Sequence, residues 1–292
     1  MTDRIETACL LVGEATVPEP FARAVERMVR ETPVEIALVV IASDEQPGGD
    51  SSSSGGGADD GDTSTSDVGG GIDLGTLLAR VERWGPVRRI KGALTDPHEP
   101  VALDALDCLS GARTVRCTTE PADGPAVSIP DPAVEEIAAA ADVAIHNGVG
   151  ILAGEVLTAP RAGVLGFHHG DIRAYRGIGY GFWEFMHGED ESGVTLQRLS
   201  PELDAGEIIA FASVDIGDAH TYPEVRRRLG AASIPLLAAG IENLDDPDFE
   251  PERVPREELG PVYYSSDVTT AVKARYLLRE ATNRLRRAIS RR

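Results

Sequence analysis

The sequence predicts an α/β fold: an open parallel sheet with helices on both faces, followed by a helical C-terminal extension. Two observations near the start point to it. Residues 6–13 (ETACLLVG) and 34–42 (VEIALVVIA) are apolar runs of strand length, and residues 21–29 between them carry apolar side chains near helical spacing. Strand, helix, strand in that order opens a parallel sheet. The third observation is that the same kinds of element recur after residue 130.

Residues 46–71 break the pattern. They are almost wholly Gly, Ser, Asp and Thr, too polar to bury enough apolar surface to offset ordering entropy, and are expected to be a disordered acidic insertion. The glycines lack phosphate-loop spacing. Residues 74–84 then read as a helix, 87–93 as a strand, and 101–109 as apolar without a clear period. Residues 131–141 (DPAVEEIAAAA) start with Asp, Pro and early acids, a well-signed helix N-terminus. Residues 142–147 read as a strand, 152–157 as a short helix and 163–167 as another strand. Asn147 and His168 therefore fall at carboxyl ends of strands, where open α/β sheets bind ligands.

Further on, 193–200 and 207–214 read as strands joined by a turn at 201–206. Residues 222–242 read as a helix, 251–261 as a charged loop, and 272–289 as a helix with a basic face (Arg275, Arg279, Arg284, Arg286, Arg287). The expected division is a catalytic domain over 1–215 and a helical extension over 216–292.

The 292 residues, 42% of them hydrophobic, suffice for one large domain or two modest ones. The net charge of −20 argues against a nucleic-acid partner. Only Lys91 and Lys273 among 28 basic residues are lysines, and an acidic, lysine-poor surface suits a halophilic protein kept soluble at high salt. Long apolar spans and a basic-then-apolar start are absent, so a cytoplasmic location is expected. Cys9, Cys108 and Cys117 form no CxxC pair and fit a reducing compartment.

Acid–base groups concentrate in one stretch. His146, His168, His169 and His187 lie there with Asp171, Glu184 and Asp204. HxxxH, HExxH and CxxC spacings are absent, so no metal is expected. A GxSxG elbow is absent too. Phe182, Trp183 and Phe185 read as helix core, Glu184 as a solvated face, and His187 and His220 as surface residues.

Residues 143–209 resemble the catalytic domain of the 10-formyltetrahydrofolate-dependent formyltransferases. That family includes glycinamide ribonucleotide transformylase, methionyl-tRNA formyltransferase and sugar N-formyltransferases. The resemblance rests on Ile151-Leu152, Gly163, His168, Tyr175-Arg176-Gly177, Gly193-Val-Thr195 and Leu203-Asp204-Ala-Gly206-Glu-Ile-Ile209. It implies a Rossmann-like fold and 10-formyltetrahydrofolate as formyl donor. His168 would be the catalytic histidine and Asp204 its aspartate partner. Gly148, Ile151, Leu152 and Leu203 would belong to the folate site, and Arg176 would order the acceptor side or brace its loop. His169 and Asp171 would lie toward the acceptor.

One position departs from the family pattern. Gly166 stands where the family carries an asparagine, and losing an oxyanion donor costs roughly 100- to 1,000-fold in rate. Three readings stay open: a substitute donor, Asn147 or His169; hydrolysis or transfer of another one-carbon group; or folate or nucleotide binding without turnover. The expected partner is a small amine, for example an amino-sugar nucleotide, in preference to tRNA. For the basic C-terminal helix, packing on its own domain or a homodimer contact is favoured over a membrane surface.

The charge pattern generates a prediction: stability should rise with KCl. A denaturation midpoint that is highest in dilute buffer would contradict the halophilic reading.

Overall fold

The computed structural model describes residues 4–43 and 98–290; the expectations for 46–71, 74–84 and 87–93 lie outside them. Strand β1 (Thr7–Val12) is buried almost throughout. Helix α1 (Glu19–Glu31) starts where Pro18 and Pro20 preset φ. It stops where the Thr32 hydroxyl donates to the Met28 carbonyl at 2.8 Å. Strands β2 (Glu35–Ser43) and β3 (Arg113–Thr118) follow. Next come α2 (Asp131–Ala140), β4 (Val143–Asn147), β5 (Val164–His168) and the short α3 (Phe182–His187). An antiparallel pair, β6 (Glu191–Arg198) and β7 (Glu207–Asp215), leads into α4 (Tyr222–Asp245) and α5 (Thr270–Ser290).

The seven strands form one sheet in the order β7-β6-β5-β4-β1-β2-β3. β3, β2, β1, β4 and β5 run parallel. β6 and β7 add an antiparallel edge. On one face α2 brings Ala133, Val134 and Ile137 against Cys9, Leu11, Leu38, Val40, Ala144 and Val164. α1 and α4 pack on each other, and α4 also covers β6 and β7. Right-handed crossovers place such helices on opposite faces.

The chain leaves β1 toward β2 and β3, then returns to add β4 and β5 on the other side. The reversal point lies between β1 and β4, where a crevice opens at the carboxyl ends. There the two backbones nearly touch. The Gly13 N–H donates to the Asn147 carbonyl at 3.1 Å, and a Cβ on Gly13 would lie 2.3 Å from the Gly148 carbonyl oxygen. At the opposite end, Asp142 joins the starts of β1 and β4. Its carboxylate accepts from the Glu6 and Thr7 backbone, the Thr7 hydroxyl and Arg161. Burial opposes its charge, but these donors hold its pKa at about 2.

Several expectations need correction. Residues 152–157 are not a helix: Ile151–Ala153 is a strand parallel to Ala126–Ser128, and only Glu155–Leu157 makes a 3₁₀ turn. Gly154 at φ +83° interrupts the stretch, and the main-chain groups before it are satisfied across strands instead. Within 101–109, Pro100–Ala102 pairs with Thr16–Pro18, and two 3₁₀ turns follow. β3 was not anticipated; it is a half-exposed edge strand whose two arginines mask its period.

The C-terminal helix packs on its own domain. Tyr276 is buried against Phe182, Phe185 and Tyr222, its hydroxyl donates to the buried Glu280 at 2.7 Å, and the Arg279 guanidinium covers the Phe185 ring. Among the described residues no helix is long and apolar enough to cross a membrane.

The close approach at the crevice sets a test. Gly13→Ala forces apart two main chains that have no room to give, which should lower stability by about 1–3 kcal/mol. An unchanged denaturant midpoint would show that the contact is slack.

Candidate active site

β5 ends on His168, and the next nine residues turn back over it. The His168 ring is 9% exposed. Its Nδ1 lies 3.3 Å from Asp204 Oδ2 and its Nε2 lies 2.9 Å from the Tyr175 carbonyl oxygen. An imidazolium donates from both nitrogens to such partners, whereas a neutral ring can donate from only one. Burial works against charging the ring, yet the Asp204 hydrogen bond and charge, the Tyr175 carbonyl and Glu184 outweigh it. They hold the His168 pKa above the ordinary 6.5. Burial likewise opposes the Asp204 charge, and His168, the Gly177 N–H and Gln197 together hold that carboxyl below the ordinary 3.8.

All three residues of the Tyr-Arg-Gly turn serve this pair. Tyr175 offers its carbonyl to His168. The Gly177 N–H donates to Asp204 Oδ2 at 2.7 Å. Arg176 donates to the Leu203 carbonyl at 3.1 Å and the Gly260 carbonyl at 2.8 Å, so it braces the loop that carries Asp204. Gly177 sits at φ +85°, and a Cβ there would strike the Tyr263 carbonyl at 2.1 Å. Asp204 itself adopts φ +45°, sparsely populated by residues other than glycine. Both of its oxygens are held, Oδ1 by Gln197 Nε2 at 3.0 Å.

The Gly-x-Thr motif has an equally local purpose. Gly193 lets the 170–171 backbone lie against β6, since a Cβ there would come within 2.9 Å of Asp171 N. Thr195 donates its hydroxyl to the Gly170 carbonyl at 2.8 Å. Gly170 in turn leaves room for His168: a Cβ would fall 2.6 Å from Nε2 and 3.3 Å from Glu184 Oε1.

Glu184, expected on a solvated face, is instead 3% exposed. It accepts from the Ser192 hydroxyl at 2.9 Å, and burial lifts its pKa above 4.5. The short α3 turns inward because its aromatic neighbours pack on the C-terminal helices, and this carries Glu184 with them. A cavity of about 480 Å³ opens beside it, walled among others by Asp171, Tyr175, Glu189, Phe211 and Tyr263. Asp171 Oδ1 accepts from the Arg173 N–H and guanidinium.

A second cavity of about 460 Å³ lies at the β1–β4 crevice, where Gly13, Thr16, Val17, His98, Asn147 and Gly148 line it. Asn147 thus belongs to the α1 side. So does His169, which stacks on Tyr180 at 3.6 Å while the α4 residue Arg226 covers the other ring. Burial, then the neighbouring His168, His98 and Arg226, push the His169 pKa well below 6.5. Gly166 and His168 project to the opposite, α2 face, because side chains alternate along β5. The space beside Gly166 is taken by Leu199, whose Cδ2 would sit 3.0 Å from an added Cβ. Leu152 is core, while Ile151 is half-buried and Gly148 exposed. Among the described residues no cluster of three His, Cys, Asp or Glu is placed to hold a metal.

Gln197 was not singled out from sequence. The available signal was polar residues at alternate positions of an otherwise apolar strand, Thr195 and Gln197, which the fold buries.

The pH dependence of the pair follows by linkage. His168, raised, contributes stability that is complete below pH 6.5 and is lost as pH rises through its folded pKa. Asp204, depressed, contributes above pH 3.8 and loses this as pH falls through its folded pKa. Asp204→Asn should therefore cost most stability between these limits and progressively less in alkaline buffer. A pH-independent cost would contradict the pairing.

Part of this chain is similar to known proteins. Residues 128–239 match the formyl transferase family. A methionyl-tRNA formyltransferase of Sorangium cellulosum is 31% identical over 126 residues, 43% of this chain and 40% of the relative. One from Roseobacter denitrificans is 32% identical over 124 residues, 42% and 39%. The chain thus spans about two fifths of the length of these curated relatives. Among solved structures, glycinamide ribonucleotide transformylase 1 from Symbiobacterium toebii aligns with TM-score 0.51 and 16% identity, over 87% of this chain and 96% of that one. An N-formyltransferase from Helicobacter canadensis, in complex with folinic acid and dTDP-3-aminofucose, aligns with TM-score 0.51 and 11% identity, over 95% and 80%. These two share the fold. The motif residues of 143–209, which converge on one buried histidine–aspartate pair, thus lie within the segment, residues 128–239, that is similar to the formyl transferase family.

Proposed function

We propose that this chain transfers a formyl group from 10-formyltetrahydrofolate to the amino group of a small acceptor, an amino-sugar nucleotide being the favoured class. The observation that carries the reading is the His168–Asp204 pair with its Tyr-Arg-Gly support. Attack by an amine forms an N–C bond and breaks the bond from the folate nitrogen to the formyl carbon; the amine proton ends on the departing nitrogen. Negative charge builds on the formyl oxygen meanwhile. A protonated His168, released from the Tyr175 carbonyl, supplies the N–H that stabilises it, and Asp204 keeps the ring charged and oriented.

The residues present fit the donor. Gly148 and Gly150 hold left-handed conformations and carry no side chain over the loop, so a flat ring could approach the main chain there. Ile151, Leu152 and the braced Leu203 complete that wall. On the acceptor side, Asp171 lines the cavity beside Glu184 and Arg176 fixes the loop that carries Asp204; His169, expected there, faces the other side of the sheet. The net charge of −20 supports a small acceptor over tRNA, and the Helicobacter canadensis neighbour was crystallised with an amino-sugar nucleotide. Three free cysteines suit a cytoplasmic setting. Gly166 favours a second reading, folate binding without turnover.

The test is incubation with 10-formyltetrahydrofolate, with and without candidate amines, following tetrahydrofolate release. Amine-dependent release is expected, and His168→Ala and Asp204→Ala should abolish it without unfolding the protein. Release without amine would mean hydrolysis. Binding with no release would mean a non-catalytic module.

A further inference from the structure

The Tyr175 carbonyl sits where the transfer reading needs another oxygen. It accepts from His168 Nε2 at 2.9 Å, and in the scheme above that N–H must pass to the formyl oxygen. Nε2 carries one proton, and two oxygens claim it. Whatever holds the carbonyl in place therefore bears on the reaction.

The main chain on both sides of it is anchored. The Ala174 and Tyr175 N–H groups donate to the Asp171 carbonyl at 2.8 Å, and the Arg176 N–H donates to the Pro261 carbonyl at 3.0 Å. The Tyr175 side chain adds a further tie. Its hydroxyl donates to Glu189 Oε1 at 2.9 Å. The phenol has one proton, so His187 Nδ1, also at 2.9 Å, faces it as an N–H donor. Burial, then the Glu189 bond and charge, raise the Tyr175 pKa above its ordinary 10, so the hydroxyl stays a donor. One residue thus links the end of α3 to the His168 proton, through its hydroxyl at one end and its carbonyl at the other. His187 and Glu189 are both exposed. Hydrogen bonds within reach of water are worth little net, so this tie is easily undone. Tyr175 and Glu189 also wall the cavity of about 480 Å³ beside Glu184, where an amine competes with the phenol for the Glu189 carboxylate.

We propose that Tyr175 is a positioning residue that works as a latch: while its phenol is tied to Glu189 and His187 its carbonyl occupies the His168 N–H, and release of the phenol by the amine frees that N–H for the formyl oxygen. This rests on the formyl-transfer reading above. The latch protects the formyl donor from water while no amine is present. Without it, water adds to the formyl carbon, the bond to the folate nitrogen breaks, and formate and tetrahydrofolate leave. One water proton ends on that nitrogen and the other is released as formic acid ionises.

The experiment compares wild type with Tyr175→Phe, which keeps the ring beside Tyr263 and removes the hydroxyl, and with Glu189→Ala, a surface change that removes its acceptor. The probes are 10-formyltetrahydrofolate and a dTDP-linked amino sugar. In wild type, tetrahydrofolate release should depend on the sugar. In both variants, release without sugar should rise to about five times the wild-type background. In ring ¹⁵N–¹H spectra of the unliganded proteins, the His168 Nε2–H should exchange with water faster in both variants, while the Nδ1–H beside Asp204 exchanges as in wild type. Equal sugar-free release in wild type and variants overturns the latch alone, as does an unchanged Nε2–H exchange. A wild type that binds both probes but releases no tetrahydrofolate overturns the transfer reading and the latch with it.

Discussion

The hydrogen-bonded pair of His168 and Asp204 is the contact on which the rest of the site depends. Two ionisable groups are removed from most of their water, which is favourable only if their remaining valences are filled. Here they are: one carbonyl, one main-chain N–H and one side-chain amide take up the other bonding positions. The Tyr-Arg-Gly turn, the glycines at 170, 177 and 193, and the buried Gln197 follow from that need. Each either supplies a bond to the pair or clears the space in which a bond can form.

The fold delivers the two partners from different parts of the sheet. His168 comes from the last parallel strand, whose carboxyl end faces the crevice side. Asp204 comes from the connection between the two antiparallel edge strands. Because β6 runs back alongside β5, Thr195 pairs in register with His168 and Gln197 with Gly166, so its own polar residues share the face of His168. The edge pair is thus a scaffold for the histidine–aspartate pair as much as a border of the sheet. Helix α3 adds Glu184 from the opposite side, within electrostatic reach of the same ring.

Much of this was legible in the sequence. The helix at 131–140 announced itself through Asp131 and Pro132, and strands β1, β2, β4 and β5 through continuous apolar runs that only a doubly covered sheet can bury. The motif residues His168, Tyr175, Arg176, Gly177, Thr195 and Asp204 were picked out by their resemblance to a family pattern, and they lie together in the fold. What stayed hidden depended on packing. Glu184 carries a charge on a six-residue helix, and only the aromatic cluster around Tyr222 and Tyr276 reveals that its face is inward. Ile151–Ala153 is too short to show a period. The sidedness of Asn147 and His169 is invisible without the strand register, because a shift of one residue exchanges the faces.

Asp204 at φ +45° has a further consequence. A non-glycine residue rests in that conformation only while the segments that clamp it are in place, and two of the clamps, Arg176 and Gly177, lie more than twenty residues upstream. The turn that presents the carboxylate is therefore cheap to relax and cooperative to form. Fraying of the edge hairpin would let Asp204 slip to ordinary backbone angles and leave His168 unpartnered while the parallel core stayed intact. The histidine–aspartate pair would come apart locally before the protein unfolds globally, with a separate and lower thermal threshold for the pair than for the fold.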